Sequence, residues 1–137
     1  MPVELAGGYV LELSQAREWA EKFFPSIQWG VNDLVFHMDI QRHLNEYYKD
    51  DDERDRCLCI WWEESQEGDK DTGIFFPVAW TECEYGTRDN HYHFEEGDEA
   101  LAVKKQLFGA VEAKLSYSVE SIRFVTIFEP DETHEWY

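Results

Sequence analysis

Apolar and polar positions near the N-terminus predict a short strand followed by a helix. In residues 9–13, Tyr9, Leu11 and Leu13 would share one face of the strand. Ser14 is a suitable N-cap for a helix over about residues 15–24, which Pro25 would end. One face of that helix is apolar because its apolar residues recur three and four positions apart: Ala16, Trp19, Ala20 and Phe23.

The segment from Val31 to Tyr48 supports two interpretations in its first half. A helix capped by Asn32 or Asp33 would place apolar residues at three- and four-residue steps: Val31, Leu34, Val35 and Met38. A strand is the alternative, because another set alternates: Leu34, Phe36, Met38 and Ile40. From Asp39 to Lys49 the helix is favoured, and its apolar surface continues through Ile40, Leu44, Tyr47 and Tyr48. The sequence therefore does not decide between helix and strand for residues 31–40.

The stretch from Asp50 to Asp71 places an apolar strand between acidic segments. Residues 57–62 are apolar on both faces, which predicts a central strand. Residues 50–56 and 63–72 contain no apolar side chain. We expect the first to be a solvated connection and the second an exposed turn or long hairpin loop.

The C-terminal half predicts further strands around one long helix. Residues 73–85 are rich in strand formers, with Pro77 marking a bulge or a sheet edge. Asp98 would cap a helix over about residues 99–115, and a last strand would cover residues 121–128. The strand over residues 73–85 would present Ile74, Phe76, Val78 and Trp80 on one face. The helix over residues 99–115 would carry an apolar stripe of Ala100, Val103, Leu107, Val111 and Leu115.

This order of elements predicts an α+β fold: a mostly antiparallel sheet with two to three helices packed on one face. The 137 residues suit a single domain, residues 1–137, with a short acidic C-terminal tail over 130–137. Aromatic residues make up 16% of the chain, far more than in disordered acidic proteins, so we expect a folded core.

Charge is the most unusual property of the chain. Thirty acidic residues stand against twelve basic ones, a formal net charge of -18. A field of this sign repels nucleic-acid phosphates and anionic membranes and attracts basic protein surfaces. We therefore expect a basic protein partner, with no direct nucleic-acid binding and no membrane association. Solubility alone is the alternative explanation of the charge.

The cysteine content favours a reducing, cytoplasmic location. Cys57, Cys59 and Cys83 are an odd number in a chain that is not small, so a disulfide framework is not expected. Residues 1–10 lack the pattern of a signal peptide, and no apolar run approaches the ~20 residues that span a bilayer. With His91 and His93 the cysteines are candidate zinc ligands, but their spacing matches no common zinc motif. No metal or other cofactor is predicted.

Catalytic chemistry has little support in the sequence. Glu63, Glu64, Glu82 and Glu84 would converge if their strands were neighbours, as a pair of glycosidase carboxylates does. Neither a nucleophile elbow nor a glycine-rich phosphate loop occurs. We therefore predict a binding protein and not an enzyme. A small metal-dependent enzyme that uses the cysteine and histidine residues is a third hypothesis.

Acidic residues interleaved with aromatic ones form the candidate partner-binding surface. Acidic rims steer basic partners, and Trp and Tyr dominate protein-binding hot spots. The candidate residues are Asp50, Asp51, Asp52, Glu53, Asp55, Trp62, Glu63, Glu64, Glu67, Asp69, Asp71, Glu82, Glu84 and Tyr85.

Small size, acidity and the order of elements make the chain similar to the immunity proteins that protect bacteria from polymorphic toxins. The similarity covers an early strand and helix, a central sheet, and a late helix and strand, without a shared short motif. It implies tight one-to-one inhibition of a toxin, which would act on nucleic acid, by occlusion of its active or substrate-binding site. The alternative is an anti-defence DNA mimic from a phage or plasmid, such as an anti-CRISPR or anti-restriction protein. A monomer or small homo-oligomer is expected.

Overall fold

The computed structural model describes residues 3–48, 58–63, 70–83, 93–128 and 135–136. Five strands and three α-helices make up most of this part of the chain. In chain order they are β1 (Val3–Glu12), α1 (Leu13–Phe23), α2 (Asp33–Tyr48), β2 (Leu58–Glu63), β3 (Lys70–Cys83), α3 (Asp98–Leu107), β4 (Arg123–Phe128) and β5 (Glu135–Trp136). Two 3-10 helices, Gly109–Lys114 and Val119–Ser121, separate α3 from β4.

The strands form one sheet in the order β2-β3-β1-β4-β5. Every strand pair in the described part of the chain is antiparallel. Apolar clusters cover both faces of the sheet. Residues of all three α-helices pack on the face that presents Tyr9, Leu11, Ile74 and Phe76. The opposite face carries Ala6, Val10, Phe75, Val125 and Ile127. The predicted α+β fold, with helices on one face of an antiparallel sheet, is confirmed.

The central strand is β1, not the predicted strand 57–62. β1 lies between β3 and β4, whereas β2 lies at the edge of the sheet and pairs only with β3 among the described strands. β1 is also longer than the predicted strand 9–13, because it begins at Val3. The prediction for 57–62 was wrong because apolar residues on both faces of a strand indicate only that other groups pack above and below the sheet. That pattern carries no information on lateral neighbours.

Helix α1 begins two residues earlier than predicted. Its N-cap is Glu12 and not Ser14, and the Gln15 side-chain oxygen accepts a hydrogen bond from the Glu12 N–H at 3.1 Å. The predicted apolar face is confirmed, since Ala16, Trp19 and Ala20 are buried. The helix ends at Phe23, two residues before Pro25, because a proline disfavours helical backbone in the residue before it.

Helix α2 covers the whole ambiguous segment, so the strand alternative for residues 34–40 is wrong. Asn32 caps the helix, because its side-chain oxygen accepts a hydrogen bond from the Val35 N–H at 3.1 Å. The buried face consists of Phe36, Ile40 and Leu44, at steps of four residues. Val35 and Met38 lie on another face of the helix and are exposed, as is Val31, which precedes the helix.

A bulge in β3 changes the face of the residues that follow it. Pro77 is opposite Gly8 and Ala79 opposite Gly7, so β3 has one extra residue at this point. Ile74, Phe76 and Val78 pack on the helix face, but Trp80 packs with the cluster on the opposite face. The prediction that Trp80 shares a face with them was therefore wrong, because an extra residue shifts the alternation by one position. The predicted bulge at Pro77 is confirmed.

The predicted helix 99–115 is divided in two. Helix α3 begins at Asp98, with Gly97 as its N-cap, and ends at Leu107, after which the backbone tightens into a 3-10 helix. The indole N–H of Trp19 donates to the Leu107 carbonyl oxygen at 2.8 Å, while the Val111 N–H donates to the Phe108 carbonyl instead. In an uninterrupted α-helix the Val111 N–H would donate to the Leu107 carbonyl oxygen, which here accepts the hydrogen bond from Trp19.

The last strands complete the sheet, and the side chains of β4 alternate between its two faces. In β4, Phe124 packs on the helix face, and Val125 and Ile127 belong to the opposite cluster. Part of the predicted acidic tail joins the sheet, because Trp136 in β5 pairs with Ile127.

Candidate partner-binding surface

Four predicted partner-binding residues lie in the described part of the chain. Trp62 and Glu63 end β2, Asp71 is the second residue of β3, and Glu82 is the penultimate residue of β3. The other predicted residues lie outside it: Asp50, Asp51, Asp52, Glu53, Asp55, Glu64, Glu67, Asp69, Glu84 and Tyr85. The role of all fourteen remains a prediction.

The register between β2 and β3 groups three of the four residues. Trp62 is opposite Asp71, and Glu63 is opposite Lys70. Directly opposed residues of an antiparallel pair have Cα atoms only ~4.5–5.5 Å apart. The register therefore brings one tryptophan, two acidic residues and one lysine of the sequence to the same end of the β2–β3 pair.

Glu82 lies far from this end of the hairpin. It is exposed and is opposite Glu4 of β1. Asp71 and Glu82 are eleven residues apart on one strand, which corresponds to about 36 Å at ~3.3 Å per residue. The sheet therefore separates the predicted acidic residues into two locations and does not place them in one patch.

This separation excludes the convergence of Glu63 and Glu82 that a glycosidase pair would require. Their strands are neighbours, as the prediction required, but the antiparallel register places Glu63 beside Lys70, twelve residues from Glu82. Two carboxylates of a glycosidase lie within ~10 Å of each other. Glu63 and Glu82 cannot form such a pair; Glu64 and Glu84 lie outside the described residues.

The candidate zinc ligands are also separated where they are described. Cys59 is opposite Ile74 near the start of β3, and Cys83 is the last residue of β3. His93 is exposed, while Cys57 and His91 lie outside the described residues. Within the described ranges no group of three His, Cys, Asp or Glu residues could hold a metal ion.

An apolar ridge on α2 is a surface feature that the sequence did not reveal. Val31, Val35 and Met38 have exposed fractions of 96%, 46% and 60%. Val35 and Met38 lie three positions apart and share one side of α2, whereas Val31 precedes the helix. Contiguous exposed apolar side chains are typical of protein-contact surfaces. The sequence grouped Val35 and Met38 correctly on one side of the helix but could not show that Phe36, Ile40 and Leu44 face the core instead.

The charges beside the ridge are held in local interactions. Arg17 donates to the carbonyl oxygens of Gly30 and Val31 at 2.8 and 3.0 Å, and its guanidinium carbon lies 4.4 Å from the centre of the Phe36 ring. Arg42 forms an ion pair with Asp39 at 3.2 Å. These contacts fix the orientation of the two guanidinium groups on this side of the protein.

A polar cluster lies between the sheet and the segment that leads into α3. The buried Tyr9 hydroxyl donates to Glu96 Oε2 at 2.7 Å, and the same oxygen is 3.5 Å from Lys104 Nζ. The Phe94 N–H donates to the Thr126 hydroxyl at 2.9 Å. These contacts hold residues 93–97 against β1 and β4.

Two tyrosines have strongly raised pKa values. Burial, then the hydrogen bond to Glu96 and its negative charge, raise the pKa of Tyr9 far above its ordinary value. Burial, then the charge of Glu18, raise the pKa of Tyr117 in the same way. The Tyr117 hydroxyl donates to the Gln15 carbonyl oxygen at 3.0 Å. Both phenols therefore stay protonated in the folded protein at alkaline pH.

We expect stability to fall above pH ~10, where the phenols of an unfolded chain ionise. Folding raises the pKa of Tyr9 and Tyr117. Their contribution to the free energy of unfolding is therefore complete below pH ~10 and is lost as the pH rises above that value. The slope reaches about 1.4 kcal/mol per pH unit for each fully protonated buried phenol. Urea unfolding between pH 8 and 11 should show a shallower decline for Tyr9→Phe. A decline identical to that of the wild type would contradict the burial of this phenol.

In comparisons with known proteins, no family model, no curated protein and no solved structure matches the chain. None of the described helices combines the length and apolar composition that crossing a membrane requires.

Proposed function

We propose that this protein is an acidic inhibitory binding protein that neutralises a basic protein partner. By this proposal it occupies the active or substrate-binding site of an enzyme that acts on nucleic acid, as an immunity protein does with its toxin. The complex forms inside the cytoplasm, in the cell that the inhibitor protects.

The observation that carries the proposal is the placement of acid at both ends of an edge strand. Before β2, residues 50–57 contain five acidic and two basic residues, a net charge of -3. From the end of β2 into β3, residues 63–71 contain five acidic residues and one basic residue, a net charge of -4. A sheet edge bounded in this way attracts a basic surface at a raised association rate.

Apolar and aromatic contacts would add affinity to this electrostatic attraction. Trp62 lies beside Asp71 at the acidic end of the hairpin, and Val35 and Met38 are exposed on α2. Protein interfaces combine an apolar centre with a polar rim, and buried aromatic residues often dominate their energy. The chain therefore offers both components of a stable interface.

A DNA mimic is the second candidate, and the spacing of the acids along β3 favours it. The ~36 Å between Asp71 and Glu82 is close to the 34–36 Å length of one turn of duplex DNA. A partner that binds duplex DNA would then meet carboxylates at both ends of one strand. Short duplex DNA should displace either inhibitor from a DNA-binding partner, so genome neighbourhood separates the candidates. A toxin gene immediately upstream favours the immunity protein, and adjacent phage structural genes favour the DNA mimic.

An affinity pull-down from the native host tests the proposal. The tagged full chain is incubated with lysate at low and at high salt, and the retained proteins are identified and purified. We expect one basic protein that is lost as salt rises and whose nucleic-acid-processing activity is abolished by one equivalent of the inhibitor. Retention of no protein above background, or of a protein whose activity is unchanged, would contradict the proposal.

Reversing Asp50, Asp51 and Asp52 to lysine should weaken partner binding at least tenfold at low salt and flatten its dependence on salt. The loss follows from removed Coulomb attraction, while stability should change little, because exposed charges contribute little to folding. Titration of the purified partner over a range of salt concentrations, with a urea unfolding curve for each variant, measures both effects.

A variant with the same change in net charge is the control. Glu99, Glu112 and Glu120 are exposed on α3 and on the two 3-10 helices. Their reversal to lysine also raises the net charge by six units but leaves both flanks of β2 intact. If the two triple variants bind the partner equally well, overall charge and not the acidic run controls binding.

A further inference from the structure

We draw no further inference here: the strongest candidate, the exposed apolar ridge of Val31, Val35 and Met38 at the start of α2, carries no proposal because nothing in the described part of the structure shows what covers it.

Discussion

Replacing Trp19 by alanine is expected to lower the free energy of unfolding by about 3–5 kcal/mol. Trp19 is fully buried at the centre of the helix-side core. Its ring stacks on Phe23 at 5.0 Å and makes edge contacts with Phe24, Phe76 and Phe108. Alanine would leave a cavity among these rings and leave the Leu107 carbonyl without its donor. This loss is a large part of the ~5–15 kcal/mol that stabilises a typical domain, and urea unfolding would measure it.

Two phenylalanine variants separate the hydrogen bond of Trp19 from its packing. Trp19→Phe keeps an aromatic ring but removes the bond to Leu107, so it should cost about 1–3 kcal/mol. Trp29→Phe is the matched control, because the Trp29 indole nitrogen is buried and has no hydrogen-bond partner among the described residues. It should cost about 1 kcal/mol or less. Equal costs for the two variants would show that the Trp19–Leu107 bond contributes nothing.

Replacing Gly8 by alanine is expected to destabilise the protein by about 2–4 kcal/mol. A Cβ atom on Gly8 would overlap the Phe76 carbonyl oxygen and lie 2.8 Å from Pro77 Cα. These are backbone atoms of the neighbouring strand, so they cannot move away by a side-chain rotation. The β1–β3 pair would have to separate at the bulge, with loss of nearby hydrogen bonds. Thermal or urea unfolding would measure the change.

Gly30→Ala is the control for this substitution. Its Cβ atom would meet nothing closer than Val35 Cγ1 at 3.7 Å, an ordinary contact distance. Its stability should stay within about 0.5 kcal/mol of the wild type. A similarly small effect of Gly8→Ala would mean that β1 and β3 do not approach each other closely at this point.

Local chemistry was sufficient to predict most elements and their shared faces. The pairs Ala16–Trp19 and Val125–Ile127 lie on common faces, as their spacing indicates, and Asn32 caps α2 as proposed. Periodicity succeeds here because it depends on the rise and twist of one segment, which are local properties. The acidity of the chain, and hence the expected class of partner, also follows from the sequence alone.

The candidate surface was less predictable than the fold. The sequence identified acidic residues near Trp62 and near Glu82 but treated them as one surface, whereas the register of β3 separates them by most of a long strand. The sequence placed Val35 and Met38 on the apolar surface of their helix, but the structure exposes both side chains. Two apolar stripes compete on that helix, and only packing against the sheet decides which one is buried.

The sequence by itself therefore determined the α+β class, the faces of most elements and the strongly negative field, because these depend on residue spacing and composition. Tertiary structure decided that β1 is central and β2 an edge, that a bulge moves Trp80 to the other face, and that α3 ends at Leu107. Each of these depends on a contact between residues far apart in the chain, such as the bond from Trp19 to Leu107. Such contacts leave no periodic trace in the segments that they join.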